Sequence, residues 1–253
     1  MSCIFTNDNS VEIQLVNHTF SEIFRTRNDH EAIFRQINTY LINNNIINRD
    51  KNIIDLGAWI GDNSIPWAKN ISGIVYAIDP SKDNCDYINA MNILNSISNM
   101  LIIKAVISDS EKIVSTDCDN LHHCSFRNDN SLSNKLQSFS LDTLYKQGII
   151  RDVGYIHLDV EGMENLVIEG STKLIDDLNP IITFEQHLET DNYTEICNKL
   201  HNKNYTVFLI NELLLGCRED CRNFIAFPNT IFNNDIIVSI EEHIGCENLF
   251  TRF

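Results

Sequence analysis

Short, wholly apolar runs alternate along this chain with stretches of helical period. "NIIDLG", "GIVYAID", "MLIIKAVI", "VGYIHLDV" and "PIITFEQH" have the length and β-branched content of strands buried on both faces. Between them lie patterns that repeat every three to four residues. "DHEAIFRQINTYLINNN" sets Ile33, Phe34, Ile37, Tyr40 and Leu41 on one stripe, with Asp29 as a candidate cap. "GDNSIPWAKN" predicts a turn and a helix. Ser81 caps a helix through "KDNCDYINAMNILN", where Cys85, Ile88, Met91 and Leu94 fall on one side. "MENLVIEGSTKLIDD" and "DNYTEICNKLHNK" follow the same pattern, and "LQSFSL" predicts a short strand before a short helix starting at Asp142. From Ser108 to Lys135 the pattern dissolves into a polar stretch, expected to be a loop over the active face. "YTVFLI" and "NFIAFP", joined through Gly216 to Asp220, predict a closing antiparallel hairpin. Strands alternating with helices imply an α/β fold, a mostly parallel sheet with helices on both faces.

A chain of 253 residues without repeats or a Pro-, Gly- or Ser-rich linker is expected to form one domain over residues 51–228. Residues 1–50 would form an N-terminal extension and helix, a candidate substrate lid, and residues 229–253 a C-terminal tail. Hydrophobic content of 43% and charged content of 21% are those of a soluble globular protein. The formal net charge of -16 and the lack of a basic run argue against nucleic acid as a partner. "MSCIFTNDNSVEIQ" has no basic-then-apolar signal segment, and no apolar run approaches the roughly 20 residues that span a bilayer. The expectation is a cytoplasmic protein without a membrane partner.

The eight cysteines are scattered, and the default is reduced thiols. "CDNLHHC" gathers Cys118, His122, His123 and Cys124, and "CREDC" pairs Cys217 with Cys221. Neither has the C-x-x-C spacing of common structural zinc sites, so both are taken as polar loops that contain His and Cys.

The cofactor signal lies in "NIIDLGAWIGDNS". The strand ends at Asp55, Gly57 permits a tight turn, and Gly61 opens the next helix. The spacing is G-x-x-x-G, not the G-x-G-x-x-G of dinucleotide sites, and no G-K-[ST] follows. A second carboxylate, Asp79, ends the next strand, where it can accept hydrogen bonds from two ribose hydroxyls. Acidic strand ends around such a turn suit S-adenosyl-L-methionine, which carries no phosphate for the loop to cradle.

Taken in order, "IDLGAWIGDNS", "VYAIDPS", "AVISDSE", "SFSLDTL", "YIHLDVEGMENLVIEGS" and "PIITFE" resemble the FkbM-like family of S-adenosylmethionine-dependent methyltransferases, from Asn52 to Pro228. The D-V-E-G-x-E segment is the most specific of them. The resemblance implies a class I methyltransferase (Rossmann-like) fold with a seven-stranded sheet, and methyl transfer to a hydroxyl, commonly on a sugar, nucleotide sugar or glycan. It extends the cofactor site to Ala58, Asn63 and Ser64 in the first motif, Pro80 and Ser81 in the second, and Ala105 opening the third. The family usually has Lys where this chain has His157, and more often Glu where it has Asp79.

In an open parallel sheet, ligands bind beyond the carboxyl ends of the strands. Alternation puts His157, Asp159 and Glu161 on one face and Ile156, Leu158 and Val160 on the other. Glu185 and His187 share a face of the next strand. These five are the candidate catalytic residues, with Asp159 the leading base for an acceptor hydroxyl. Asp159 and Glu185 could instead chelate a Mg²⁺-like ion. His157 serves equally as a core histidine, and Glu161 and Glu164 as first-turn acids of the following helix. A catalytically silent binding or regulatory subunit is the competing reading, and a small-molecule or glycan acceptor the expected partner of the active one.

Overall fold

The apolar runs become the centre of one sheet. The structure, a computed structural model, describes residues 3–6, 11–27, 30–117, 125–127 and 134–253. The chain opens with β1 (Cys3–Thr6), β2 (Glu12–Leu15), α1 (Thr19–Thr26) and α2 (Ala32–Asn43). The first crossovers are β3 (Asn52–Leu56), α3 (Ser64–Asn70), β4 (Val75–Asp79), α4 (Lys82–Leu94) and β5 (Met100–Lys104). Then come β6 (Val106–Ile107), β7 (Ile113–Asp117), β8 (Ser125–Arg127), β9 (Asn134–Phe139) and α5 (Leu141–Lys146). The second half holds β10 (Val153–Leu158), α6 (Glu164–Glu169), α7 (Thr172–Leu178), β11 (Ile181–His187) and α8 (Tyr193–His201). It closes with β12 (Tyr205–Ile210), β13 (Cys221–Pro228), α9 (Asn234–Ile244) and β14 (Phe250–Arg252).

The main sheet runs β14-β12-β13-β11-β10-β3-β4-β5. From β11 to β5 the pairings are parallel, and β13 is antiparallel to both β11 and β12. These are the seven strands expected, with the closing hairpin in place, and β14 adds an eighth at the edge by pairing with β12. The C-terminal residues are therefore part of the sheet, and α9 packs on α2.

Alternation sorts each central strand between two cores. Ile54, Leu56, Ile156, Leu158, Ile182 and Phe184 face α5 to α8, meeting Leu144, Val167, Leu174 and Leu200. Ile53, Val75, Tyr155 and Ile181 face the other way, onto Phe34, Ile37 and Leu41 of α2, Trp67 of α3 and Ile240 of α9. Each such side chain contributes about 1.5–3 kcal/mol of burial. The stripe assigned to α2 from its spacing is the one that is buried. No helix among the described residues is long and apolar enough to cross a membrane.

Three local expectations change. "MLIIKAVI" is two strands: the chain leaves the sheet at Ala105, and Val106–Ile107 pairs with β9. The polar stretch from Ser108 to Lys135 is not simply a loop, since β7, β8 and β9 form an antiparallel sheet joined to β6. The helix foreseen in "MENLVIEGSTKLIDD" breaks at Gly170, where a Cβ would lie 2.2 Å from the Ser108 carbonyl oxygen. Caps shift too. Ser140 caps α5, while Asp142 accepts the backbone N–H groups of Lys173 and Leu174 at 2.9 and 2.8 Å, capping α7 instead. The α2 amides of Ile33 and Phe34 donate to Glu212 at 2.7 and 2.8 Å, a carboxylate supplied from the β12–β13 connection. Asp29 and the Cys118–Cys124 cluster lie outside the described residues.

Candidate active site

The carboxyl ends of β3, β4, β10 and β11 lie side by side along the edge where an open parallel sheet forms its ligand crevice, and the two halves of that edge are built differently. On the β3–β4 side, Gly57 and Gly61 take φ of +77° and +74°, and Trp59 between them is also left-handed at +45°. Three such residues in five coil the chain tightly over the strand ends. Gly57 is the closest approach: a Cβ there would fall 1.8 Å from the Asp159 carbonyl oxygen. Asp79 closes the loop. Its carboxylate accepts from the Trp59 and Ser81 amides at 2.9 and 2.8 Å and from Asn84 Nδ2 at 3.0 Å. Burial nonetheless pushes its pKa up to about 6.

The other residues foreseen for the cofactor divide. Asp55 and Ser64 are buried and bonded to each other, the Ser64 hydroxyl donating to Asp55, whose pKa burial raises to about 7. Ala58 packs on Ala77 and Ile88. These three shape the loop from beneath. Asn63 stands at the N-cap of α3 without a side-chain cap bond, and Ser81 caps α4 through Asn84. Pro80 is half-buried beside Asp79, and the buried Ala105 donates its N–H to the Asp79 carbonyl at 3.3 Å.

The β10–β11 side is acidic. Asp159 follows β10 and donates its N–H to the Leu56 carbonyl at 3.0 Å, which docks it against β3. Burial first, then the charges of Glu185, Glu161, Glu31 and Glu164, raise its pKa well above the usual carboxylate range. Glu185 is lifted to about 8, by burial and then by Glu31. Glu161 occupies a left-handed position, φ +52°, at the turn into α6. Glu164 is buried beneath: it accepts the Val160 and Gly162 amides at 3.0 and 3.3 Å and Gln186 Nε2 at 2.9 Å. Its work is to hold the turn. His187 Nδ1 lies 3.3 Å from Asp191, at the outer end of β11.

His157 is not at the rim. It is 2% exposed, with its ring 5.1 Å edge-on from Phe34 and 5.7 Å from Trp67. Neither ring nitrogen has a hydrogen-bond partner, and burial lowers its pKa to about 4, so the neutral form fills this apolar layer.

Residues far away in sequence compensate the acids. Arg27, Glu31 and Arg35 follow one another at four-residue spacing from the end of α1 into α2. Arg35 and Arg27 bind Asp62, in the glycine loop, at 2.7 and 3.1 Å, and lie 3.6 and 3.8 Å from Glu31. Asn223 of β13 donates to Glu31 at 2.9 Å. Although burial works the other way, the two guanidiniums bring Asp62 down to about 2 and hold Glu31 below its ordinary value. Arg27 also stacks over Trp59, 4.9 Å from the ring centre. The four-residue charge ladder was the available signal for this cluster; nothing in the sequence pointed to Asn223.

The expected Mg²⁺ pair gains no third ligand. Among the described residues, the group of His, Cys, Asp or Glu ligand atoms that converges within 4.8 Å is Glu185 with Cys217 and Cys221, without Asp159. Two sulfurs suit a softer ion than Mg²⁺.

The sheet order, with β13 antiparallel between β11 and β12, is that of the class I methyltransferase fold. The chain matches the Methyltransferase FkbM domain over residues 55–207, and it belongs to that family of S-adenosylmethionine-dependent methyltransferases. It is similar in structure to methyltransferase FkbM from Methylobacillus flagellatus KT, with 16% identity and a TM-score of 0.51 over 70% of this chain and 44% of that one. The bifunctional kinase-methyltransferase WbdD aligns with 13% identity and a TM-score of 0.52, over 85% of this chain and 43% of that one. M. jannaschii TYW2 in complex with AdoMet aligns with 12% identity and a TM-score of 0.43, over 89% of this chain and 84% of that one. The chain thus spans less than half the length of the first two, and at these identities the likeness is one of fold. No curated protein matches it in sequence.

Proposed function

We propose that this chain transfers a methyl group to a hydroxyl of a neutral sugar or glycan, with Asp159 accepting the hydroxyl proton. The observation that carries the reading is the backbone contact between Asp159 and Gly57. It sets a carboxylate at the turn that would hold the cofactor's methionine end. Bound S-adenosylmethionine supplies an electrophilic methyl carbon. Asp79 Oδ2 accepts one amide and keeps acceptor capacity for a ribose hydroxyl.

Burial and the neighbouring acids raise the pKa of Asp159, which makes its carboxylate a stronger proton acceptor than an ordinary aspartate. Glu161 and His187 offer acceptors around it for further hydroxyls of a polyol. The same acids oppose a diphosphate, since Arg27 and Arg35 are already paired with Asp62 and Glu31. Neutral acceptors therefore fit better than nucleotide sugars. We assign no proton-transfer role to His157, whose position is apolar and closed.

Asp159→Asn preserves shape and removes the base. The expected result is a loss of about 10²–10⁴-fold in kcat, with calorimetric affinity for S-adenosylmethionine nearly unchanged. Methyl release would be measured on a panel of neutral glycans and nucleotide sugars. A variant with normal turnover would overturn the assignment of Asp159. A protein that binds cofactor yet methylates nothing on the panel would favour the silent subunit.

A further inference from the structure

The β12–β13 connection brings "CREDC" to a place its spacing did not suggest. Cys217 and Cys221 lie beside Glu185, at the end of β11, with the three ligand atoms within 4.8 Å of one another. His30, from the α1–α2 junction, points Nε2 at Cys217 Sγ from 3.6 Å. Its other nitrogen, Nδ1, bonds to the Leu215 carbonyl. That is the outer-shell arrangement that fixes the tautomer of a metal-binding imidazole. Gly216, at φ +88°, lets the connection pass beside this ring, where an added Cβ would lie 3.7 Å from Nδ1.

We propose that His30, Glu185, Cys217 and Cys221 form a structural zinc site that fastens the N-terminal segment to the rim of the crevice. The donor chemistry selects the ion. Two sulfurs, one imidazole and one carboxylate suit Zn²⁺ over Mg²⁺ or Ca²⁺. Bond lengths of about 2.3 Å to sulfur and about 2.0 Å to nitrogen or oxygen put tetrahedral ligands roughly 3.3–3.8 Å apart. The 3.6 Å between Cys217 and His30 already lies in that range. The Glu185, Cys217 and Cys221 atoms, within 4.8 Å of one another, would draw together on binding, and the His30 ring would turn toward them. Cys221 and His30 are buried, at 0% and 7% exposure, while Cys217 is exposed and gives the ion a way in. On binding, any thiol protons leave to solvent, and both sulfurs ligate as thiolates.

Four protein ligands leave no open position, so the ion stabilises and does not polarise substrate. Its role would be geometric. His30 lies between Arg27 and Glu31, and Glu185 shares the rim with Asp159, so one ion would tie the charge ladder to β11. The inference is independent of which acceptor is methylated.

The test uses the full chain, reduced and free of any affinity tag that binds metal. Titration with Co²⁺ should give the absorption of a tetrahedral thiolate site at one equivalent, displaced by Zn²⁺, and elemental analysis should find one tightly held zinc per chain. Cys221→Ser should abolish this absorption and His30→Ala should weaken zinc retention at least about tenfold, while circular dichroism checks that each variant is folded. Asp159→Asn should leave the cobalt spectrum unchanged. Three outcomes would overturn the site: no metal uptake by the reduced wild-type chain, full uptake by folded Cys221→Ser, or a Cys217–Cys221 disulfide that reduction followed by Co²⁺ does not convert to the metal form.

Discussion

The two halves of the crevice satisfy their polar groups by opposite means. On the β3–β4 side, Asp79 takes its donors from Trp59, Ser81 and Asn84, none more than 20 residues away in the chain. On the β10–β11 side, Asp159, Glu161 and Glu185 interact with one another, and the cation that acts on Asp159, Arg27, comes from the far end of the chain. The first half is a motif in the strict sense, a backbone path that carries its own partners. The second is an assembly, complete only when Arg27, residues 30–35 and residues 211–223 have docked. Local construction gives a site that folds with its strand. Non-local construction couples the β10–β11 side of the crevice to α1 and α2.

The sharpest way to test the self-contained half is to damage its backbone. Gly57→Ala puts a Cβ 1.8 Å from the Asp159 carbonyl oxygen at a φ of +77°. Backbone atoms cannot rotate away, so we expect a loss of about 3 kcal/mol or more of stability and no measurable cofactor binding. Gly162→Ala is the control on the assembled half. Its φ is +90° but nothing lies within 4 Å of the added carbon, so only the conformational cost of about 1–2 kcal/mol should appear. Thermal melts of the two variants would decide it. Equal losses would mean that strain alone, without the clash against β10, limits the loop.

The assembled half should respond to its remote partners. Arg35 is 10% exposed at its side chain and binds Asp62 through Nη2 at 2.7 Å and the Asp62 carbonyl through Nη1 at 2.8 Å. Arg35→Gln leaves a buried carboxylate short of a partner and should cost about 3 kcal/mol, the lower end of the range for a broken buried pair, because Arg27 remains. The sign of the pH dependence follows from the lowered pKa of Asp62. The stability that the pair contributes is present above the ordinary Asp value of about 4 and is lost as pH falls through about 2. The deficit of the variant should therefore be greatest near neutrality and shrink on acidification. A deficit constant from pH 7 to pH 2 would show that Arg35 acts through packing.

This division also explains what could be read from the residues. The glycine loop, Asp79 and the Ser81 cap were legible because each partner lies within one βαβ unit, where spacing determines geometry. The mostly parallel sheet followed from the alternation of strands with helices, and the buried stripe of α2 from its period. What escaped depended on tertiary placement. His157 alternates onto the same face as Asp159, as spacing says, but spacing cannot tell that α2 and α3 roof that position with Phe34 and Trp67. The cap of α2 is Glu212, just past the end of β12 and 178 residues from Phe34 in sequence. Cys217 and Cys221 looked like loop residues because their companions, Glu185 and His30, belong to other segments.

The smallest expected effect bears on how far the acids of the rim act as one unit. Glu161 is exposed, and its charge is among the causes that raise the pKa of Asp159, after burial and Glu185. Glu161→Gln removes that repulsion and keeps the turn's shape. If Asp159 is the base, activity rises with pH as its carboxyl loses a proton. Removing a neighbouring negative charge makes that proton leave more readily, so the rising limb of the kcat/KM profile should move to lower pH. Because Glu161 faces solvent, added salt should shrink the difference between variant and wild type. A limb that stays in place at low salt would mean that burial alone sets the proton affinity of Asp159. A limb that moved upward would mean that the group controlling activity is a cation which Glu161 stabilises, and the assignment of the base would pass from Asp159 to another residue.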